Sequence, residues 1–161
     1  MPILTVTTPA ELAHAKALFI EYARTINDVA GESLQYQNFD NELQTLPGLY
    51  SPPRGRIYLA TLNNTPVGCA ALRPLANLGP TTGEVKRMYI QPTARGHGLG
   101  HAIIAQLIND ARAIGYTVLK LDTSTSMHAA QHVYTKAGFT PCADYNNDPM
   151  PDTAWYELRL K

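Results

Sequence analysis

The chain has 161 residues, about one ordinary domain, and is long enough to bury a core without disulfides or metals. Its 13 Lys+Arg balance 13 Asp+Glu, and only 16% of residues are charged, against about 25% in typical soluble domains. The 45% apolar share argues against a disordered chain, and the zero net charge against a protein that wraps nucleic acid through general positive charge, although a local anion site is compatible with a zero sum.

In chain order, residues 3–7 have strand composition. Thr8-Pro9-Ala10-Glu11 then reads as a helix start, with Thr8 as N-cap, Pro9 at the first helical position and Glu11 completing a capping box. Leu12, Ala15, Phe19, Tyr22 or Ala23, and Ile26 follow at helical spacing, and the polar stretch from Asn27 to Gln35 is expected to end that helix. Phe39, Leu43 and Leu46 mark a short second helix. A Pro/Gly-rich loop over 46–55 has the character of a site wall. Residues 56–62 and 66–72 read as a hairpin turning at Asn63-Asn64, and 83–90 as a further strand. A strong helix over 99–114 stops at Gly115, and a strand over 117–121 follows. A helix over 126–137 closes at Gly138, and short strands are expected at 139–140 and 153–160. The order β-α-α-β-β-β-α-β-α-β-β predicts an α/β domain with a mixed sheet flanked by helices, with 1–161 as a single domain.

The sharpest local feature is Gln91-Pro92-Thr93-Ala94-Arg95-Gly96-His97-Gly98-Leu99-Gly100, between a strand and a helix. Glycines there let backbone N–H groups curl into an anion nest, and the helix N-terminus adds free N–H groups and a positive dipole end. The pattern matches neither the dinucleotide G-x-G-x-x-G, whose third glycine position is His101, nor the P-loop. The alternative is a connection rich in glycine only for tight turning.

Three blocks carry a resemblance to a known family. Arg95-x-x-Gly98-x-Gly100 resembles the [Q/R]-x-x-G-x-[G/A] motif of the GCN5-related N-acetyltransferase (GNAT) superfamily. The strand Glu84-Val85-Lys86-Arg87-Met88-Tyr89-Ile90 with the following Pro92 resembles its central block, and Ala130-x-x-x-Tyr134-x-x-x-Gly138-Phe139 its later helix and strand. The resemblance implies acetyl transfer from acetyl-CoA to a primary amine of a small acceptor, by direct attack in a ternary complex and without a metal. The amides of Arg95, Gly96, His97, Gly98, Leu99 and Gly100 would hold the pyrophosphate. The backbone of Met88, Tyr89 and Ile90 would pair with the pantetheine arm, where the strands at 84–90 and 117–122 splay. Tyr134 would be the general acid for the leaving thiolate, the alternative being a tyrosine that only packs. Glu84 matches a position that carries a general base in several members. The alternative is an ion-paired carboxylate, since Lys86 on the same strand face would weaken it as a base. Met127 stands where many members have an asparagine, which leaves Ser124, Thr125 or Ser126 to supply its hydrogen bond.

The resemblance places the acceptor among 27–36, 46–55 and 142–152, with Tyr36, Tyr50, Arg54, Tyr145, Asn146 and Asn147, and with Arg73 beside them. Arg54 and Arg73 can clamp a carboxylate, which predicts an amino-acid-like acceptor; the alternative is two solubilising arginines. The neutral charge balance and the absence of a long apolar run predict no nucleic-acid or membrane partner, and the resemblance leaves room for a homodimer. Other features are bland. His128 and His132, like His97 and His101, have helical zinc spacing but no third ligand. Cys142 lacks a base partner, and Cys69 reads as a buried strand residue. Two cysteines make no disulfide framework. The start has neither the basic nor the apolar region of a signal peptide, and no apolar run nears the about 18 residues of a membrane helix, so a cytoplasmic protein is expected. Two further readings are a non-catalytic acyl-CoA sensor, which lacks a need for Tyr134 and Glu84, and a nucleotide-binding domain, whose fingerprints fail.

Overall fold

The computed structural model describes residues 2–30, 36–148 and 151–161. Seven strands form one sheet: β1 (Ile3–Thr5), β2 (Arg56–Leu62), β3 (Thr65–Pro74), β4 (Thr82–Ile90), β5 (Val118–Ser124), β6 (Thr140–Pro141) and β7 (Thr153–Arg159). Their spatial order is β1-β2-β3-β4-β5-β7-β6. Every neighbouring pair is antiparallel except β4 and β5, which run parallel. The four α-helices are α1 (Pro9–Ala30), α2 (Tyr36–Thr45), α3 (Leu99–Ile114) and α4 (His128–Ala137). The mixed sheet and the helix order agree with the sequence pattern.

Apolar periodicity explains which helix lies on which face. α3 buries Leu99, Ile103, Ile104, Leu107, Ile108 and Ala111, spaced three and four apart. They pack with Tyr58, Ala60, Ala70, Leu72, Val85, Met88, Leu119 and Leu121 from alternate strand positions, and α4 adds Tyr134. On the opposite face, Ala15, Leu18 and Phe19 of α1 meet Ile57, Leu59, Cys69, Ala71 and Tyr89, with Phe39 and Leu43 of α2 beside them. Burying each such Leu, Ile or Phe is worth roughly 1.5–3 kcal/mol. Two cores therefore share one sheet, and a strand residue's parity decides which it joins.

Helix ends follow the sequence signals at three of the expected places. The Thr8 Oγ1 accepts from the Glu11 N–H at 3.2 Å while Glu11 Oε1 accepts from the Thr8 N–H at 3.0 Å, a reciprocal capping box. Gly115 and Gly138 cap α3 and α4. The expected break at Asn27 is corrected: α1 continues to Ala30, because polar residues are compatible with helix wherever neither glycine nor proline intervenes. α4 starts at His128, two residues later than expected, and β5 extends to Ser124.

Two irregularities shape the sheet centre. β4 and β5 are paired only at Thr82↔Val118, Gly83↔Leu119 and Glu84↔Lys120. Beyond Glu84 the two strands no longer pair, as the resemblance implies. On its other edge β4 carries a bulge: Cys69 pairs with Tyr89 but Ala71 with Lys86, so Arg87 and Met88 together face Ala70. Arg87 is left-handed there, at φ 59°. The bulge turns Lys86 and Arg87 to the same side and returns Met88 to the α3 core and Tyr89 to the α1 core.

Candidate active site

The glycine-rich turn leaves β4 and enters α3 through a short 3-10 turn at Pro92–Ala94. Gly96 and Gly98 are left-handed, at φ 84° and 74°, and a Cβ at either would meet nothing within 4 Å. The glycines serve backbone conformation beside open space. The N–H of Ala102 is the first in α3 to find a carbonyl, that of Gly98 at 3.0 Å. Among the described residues, the N–H groups from Gly96 to His101 have no acceptor. Six unpaired donors at a helix N-terminus form a cradle for an anion, and a pyrophosphate fits it. The side chains of the turn brace it instead of lining it. Arg95 donates through Nε to the Ile90 carbonyl at 3.2 Å, and the His97 Nδ1 lies 3.0 Å from the Ala94 carbonyl.

Tyr134 of α4 lies within electrostatic reach of Asp122, two residues beyond the last paired β5 residue, Lys120. It is 5% exposed, packs edge-on against Phe139 at 5.8 Å between centroids, and its hydroxyl has no hydrogen-bond partner among the described residues. Burial drives its pKa well above the usual phenol value, and the charges of Tyr22 and Asp122 add to the rise. Tyr22 belongs to α1 on the other face of the sheet; burial lifts its own phenol to about 12, against the lowering effect of Arg87. Phenols from opposite faces thus come within electrostatic reach of one another where the sheet parts.

Glu84 is 1% exposed and fully engaged. Its Oε1 accepts from Arg73 Nε at 2.8 Å and lies 2.7 Å from the second Arg73 nitrogen, and its Oε2 accepts from the Tyr145 hydroxyl at 2.6 Å. Burial pushes its pKa up, but the charges of Lys86 and Arg73 and the Tyr145 and Arg73 hydrogen bonds outweigh burial and hold it below the usual carboxylate range. Of the two readings open in sequence, the arrangement is that of the ion-paired carboxylate, which weighs against Glu84 as a base.

The predicted acceptor residues do not form one patch. Arg73 is committed to Glu84. Arg54 donates to the Pro80 carbonyl at 2.6 Å and lies 4.3 Å from the centre of the Tyr116 ring, at the closed end of the β4–β5 pair. The two guanidiniums have separate partners, so the expected carboxylate clamp is corrected. Tyr50 is corrected too: it is 2% exposed in the α1 core and donates to Glu42 at 2.9 Å. Tyr145 lies on Glu84, and Asn146 donates to Asp122 at 2.5 Å. The side chain of Tyr36 lies outside the described residues. Met88 and Tyr89 are buried in opposite cores, leaving the backbone of 88–90 as the edge toward β5.

Sequence reasoning missed four groups that order this region. Arg87 grips Glu42 of α2 through Nε at 2.9 Å and a terminal nitrogen at 3.0 Å, and its guanidinium is 5.1 Å from the centre of the Phe39 ring. Glu21 of α1 accepts from the Gln91 amide at 3.0 Å and the Tyr89 hydroxyl at 3.2 Å. Lys120 binds Glu157 at 2.6 Å. Asp122, on the next residue of that β5 face, holds Asn146. Each is polar on a strand or helix where composition reads as surface, and only the fold brings the partners together. No group of three or more His, Cys, Asp or Glu among the described residues is placed to hold a metal ion. His132 sits against His101, with ring centroids 5.9 Å apart.

A parallel strand pair splayed over an anion cradle, with a buried phenol at the opening, defines an acyl-coenzyme A transferase architecture. Residues 18–139 match the acetyltransferase (GNAT) family. An uncharacterized N-acetyltransferase of Schizosaccharomyces pombe is 31% identical over 159 residues, spanning 98% of this chain and 94% of its own. An IAA acetyltransferase of Azospirillum brasilense is 33% identical over 154 residues, spanning 93% and 95%. An acetyltransferase of the GNAT family from Staphylococcus aureus Mu50 superposes with a TM-score of 0.77 at 18% identity, over 99% of both chains. Salmonella typhimurium yncA, solved with its cofactor acetyl-CoA, does so with a TM-score of 0.71 at 19% identity, over 99% of this chain and 93% of yncA. The chain belongs to the GNAT family of acetyltransferases, whose chemistry is acyl transfer. Among the described residues no helix is long and apolar enough to cross a membrane.

Proposed function

We propose that residues 1–161 act as one N-acetyltransferase domain that moves an acetyl group from acetyl-CoA to the primary amine of a small acceptor, by direct attack while both substrates are bound. The observation that carries this reading is the Tyr134 hydroxyl, buried, unpartnered among the described residues and within electrostatic reach of Asp122, where β5 has left β4. A buried hydroxyl without a partner costs roughly 1–3 kcal/mol, so it is kept where a ligand satisfies it. Acetyl-CoA, when bound, supplies an activated thioester.

The chain's own groups divide the remaining work. The N–H groups of Gly96 to His101 bind the pyrophosphate. The freed edge of β4 at 88–90 aligns the pantetheine arm as an extra strand would lie. Tyr134 keeps its proton at all physiological pH values and delivers it to the sulfur as the carbon–sulfur bond breaks and the carbon–nitrogen bond forms. Water is scarce there, so the departing thiolate is as poorly solvated as the phenol, which narrows the gap between their acidities. Glu84 and Arg73 hold Tyr145 in place; the acceptor attacks as the neutral amine, and the proton its nitrogen sheds as the amide forms returns through solvent to the Tyr134 phenolate.

The test is release of free thiol from acetyl-CoA with a panel of primary amines, beside thermal-shift titration with acetyl-CoA. Stabilisation by acetyl-CoA with turnover of at least one amine is the expected result. Stabilisation without turnover of any amine replaces the enzyme with a sensor of acyl-CoA.

A further inference from the structure

We propose that Lys86 binds an acid group on the acceptor, so that the preferred substrate is a small amine that also carries a carboxylate. This rests on the N-acetyltransferase reading above and names the substrate class of the same site.

Position comes first. Lys86 of β4 lies opposite Ala71 of β3, and Ala71 belongs to the α1 core. Cross-strand partners project to the same face, so the Lys86 side chain leaves the sheet on the side of α1 and α2, as that of Glu84 does two residues earlier. On its other flank β4 has lost β5, because Glu84↔Lys120 is the last rung of that pair. Lys86 is therefore the first residue of this face beyond the rungs that β5 covers, and it is half-buried.

Charge comes second. The other cations of this face each have a carboxylate: Arg73 holds Glu84 at 2.7 Å, Arg87 holds Glu42 at 2.9 Å and Lys120 holds Glu157 at 2.6 Å. Lys86 has neither a hydrogen bond nor an ion pair among the described residues. Its charge reaches Glu84, where it does more than that of Arg73 to hold the carboxyl low. Glu84 is already engaged on both oxygens, by Arg73 and by the Tyr145 hydroxyl. One carboxylate thus serves two cations, and the second is left without a contact.

Chemistry comes third. A half-buried ammonium loses hydration without compensation until an anion meets it. Its compact charge and three donors suit a carboxylate oxygen. Arg54 and Arg73, the arginines that the sequence offered for an acid group, are committed to Pro80 and to Glu84, so the task passes to Lys86. An anchor of this sign grips the part of the acceptor that does not react. The amine stays outside the ion pair and is free to shed its proton before it attacks.

The experiment compares amines that carry a carboxylate with their carboxamide counterparts, which keep the shape and lose the charge. The parent should prefer the acid by about tenfold or more in kcat/KM, and in Lys86→Met the preference should fall below about threefold. Lys86→Arg should keep most of it, and thermal shift with acetyl-CoA checks that each variant is folded. Calorimetry of the same acids with protein saturated in coenzyme A reads the subsite without turnover: the parent should bind at least one acid more tightly than its amide, and Lys86→Met should not. A parent that prefers no acid in either assay overturns the proposal, as does a preference that survives in Lys86→Met. Lys86-dependent binding of an acid with no turnover of any amine keeps the subsite and removes only the enzyme reading.

Discussion

The two halves of the site are made of different material. The cradle is backbone: six N–H groups on a left-handed glycine turn, braced by Arg95 and His97 from outside. The proposed acceptor half is side chain: Arg73–Glu84–Tyr145, Arg87–Glu42, Lys120–Glu157 and Trp155–Asn146–Asp122. A backbone cradle suits a ligand that never changes and tolerates variation in the side chains around it. A lattice of paired charges can be rewired one residue at a time to suit a different acceptor while the coenzyme site stays fixed.

The contrast can be broken at its meeting point, where the largest effect is expected. Tyr134→Phe should lower kcat by about 10²-fold, the low end for removal of a general acid, with acetyl-CoA binding retained. Its raised pKa has a definite sign. A phenol shifted upward remains protonated, and competent as an acid, at every pH below its shifted value. The parent's rate should therefore rise with pH as the amine loses its proton and show no basic decline up to about pH 10, where an ordinary phenol would ionise. A basic limb below pH 9 that vanishes in Tyr134→Phe would contradict the assignment.

The side-chain half should respond in stability. Arg73→Leu leaves Glu84 buried without its cation, and equilibrium unfolding should show a loss of about 2–3 kcal/mol, under the ~3–5 kcal/mol of fully buried pairs because Arg73 is partly exposed. Glu84 has a lowered pKa in the folded chain, so its contribution is fully present above the unfolded carboxylate value of about 4.3 and is lost as pH falls through the lower folded value. Melting temperature should fall on acidification below about pH 4, and Glu84→Gln should remove that component. The same steepness in both proteins would show that Glu84 is not the group responsible.

The smallest effects test the backbone claim. Gly98→Val forces a β-branched residue into the left-handed region, costing roughly 1–2 kcal/mol, and places its side chain in the cradle's open space. Calorimetry should find acetyl-CoA about tenfold weaker and the amine KM unchanged. His97→Ala, which removes a brace and no donor, should change that affinity less than threefold. A larger effect of His97→Ala than of Gly98→Val would move the coenzyme site from backbone to side chain.

The same division decides what the sequence reveals. Sheet, helices and cradle are local patterns: a capping box at Thr8 and Glu11, a 3–4 apolar period over 99–114, glycines between strand and helix. Each is written in residues close together in the chain. Tyr134 was reachable through its motif. The acceptor half depends mostly on pairs distant in the chain, such as Arg73 with Glu84, 11 residues apart, and Tyr145 with Glu84, 61 apart. Arg54 and Arg73 read alike in sequence, as arginines beside a cleft, and only the strand register gives one to Glu84 and the other to Pro80. Lys86 reads in sequence only as a neighbour of Glu84, because its lack of a carboxylate of its own is a property of the assembled face.

Trp155 is the only tryptophan in the chain, and its indole N–H is bonded within the acceptor half, two strands from β4. The molecule thus carries a built-in fluorophore on one side of its chemistry. Emission should follow what happens to Asn146 and stay nearly blind to the cradle. Filling of the two halves can then be timed separately in one cuvette, with no label attached.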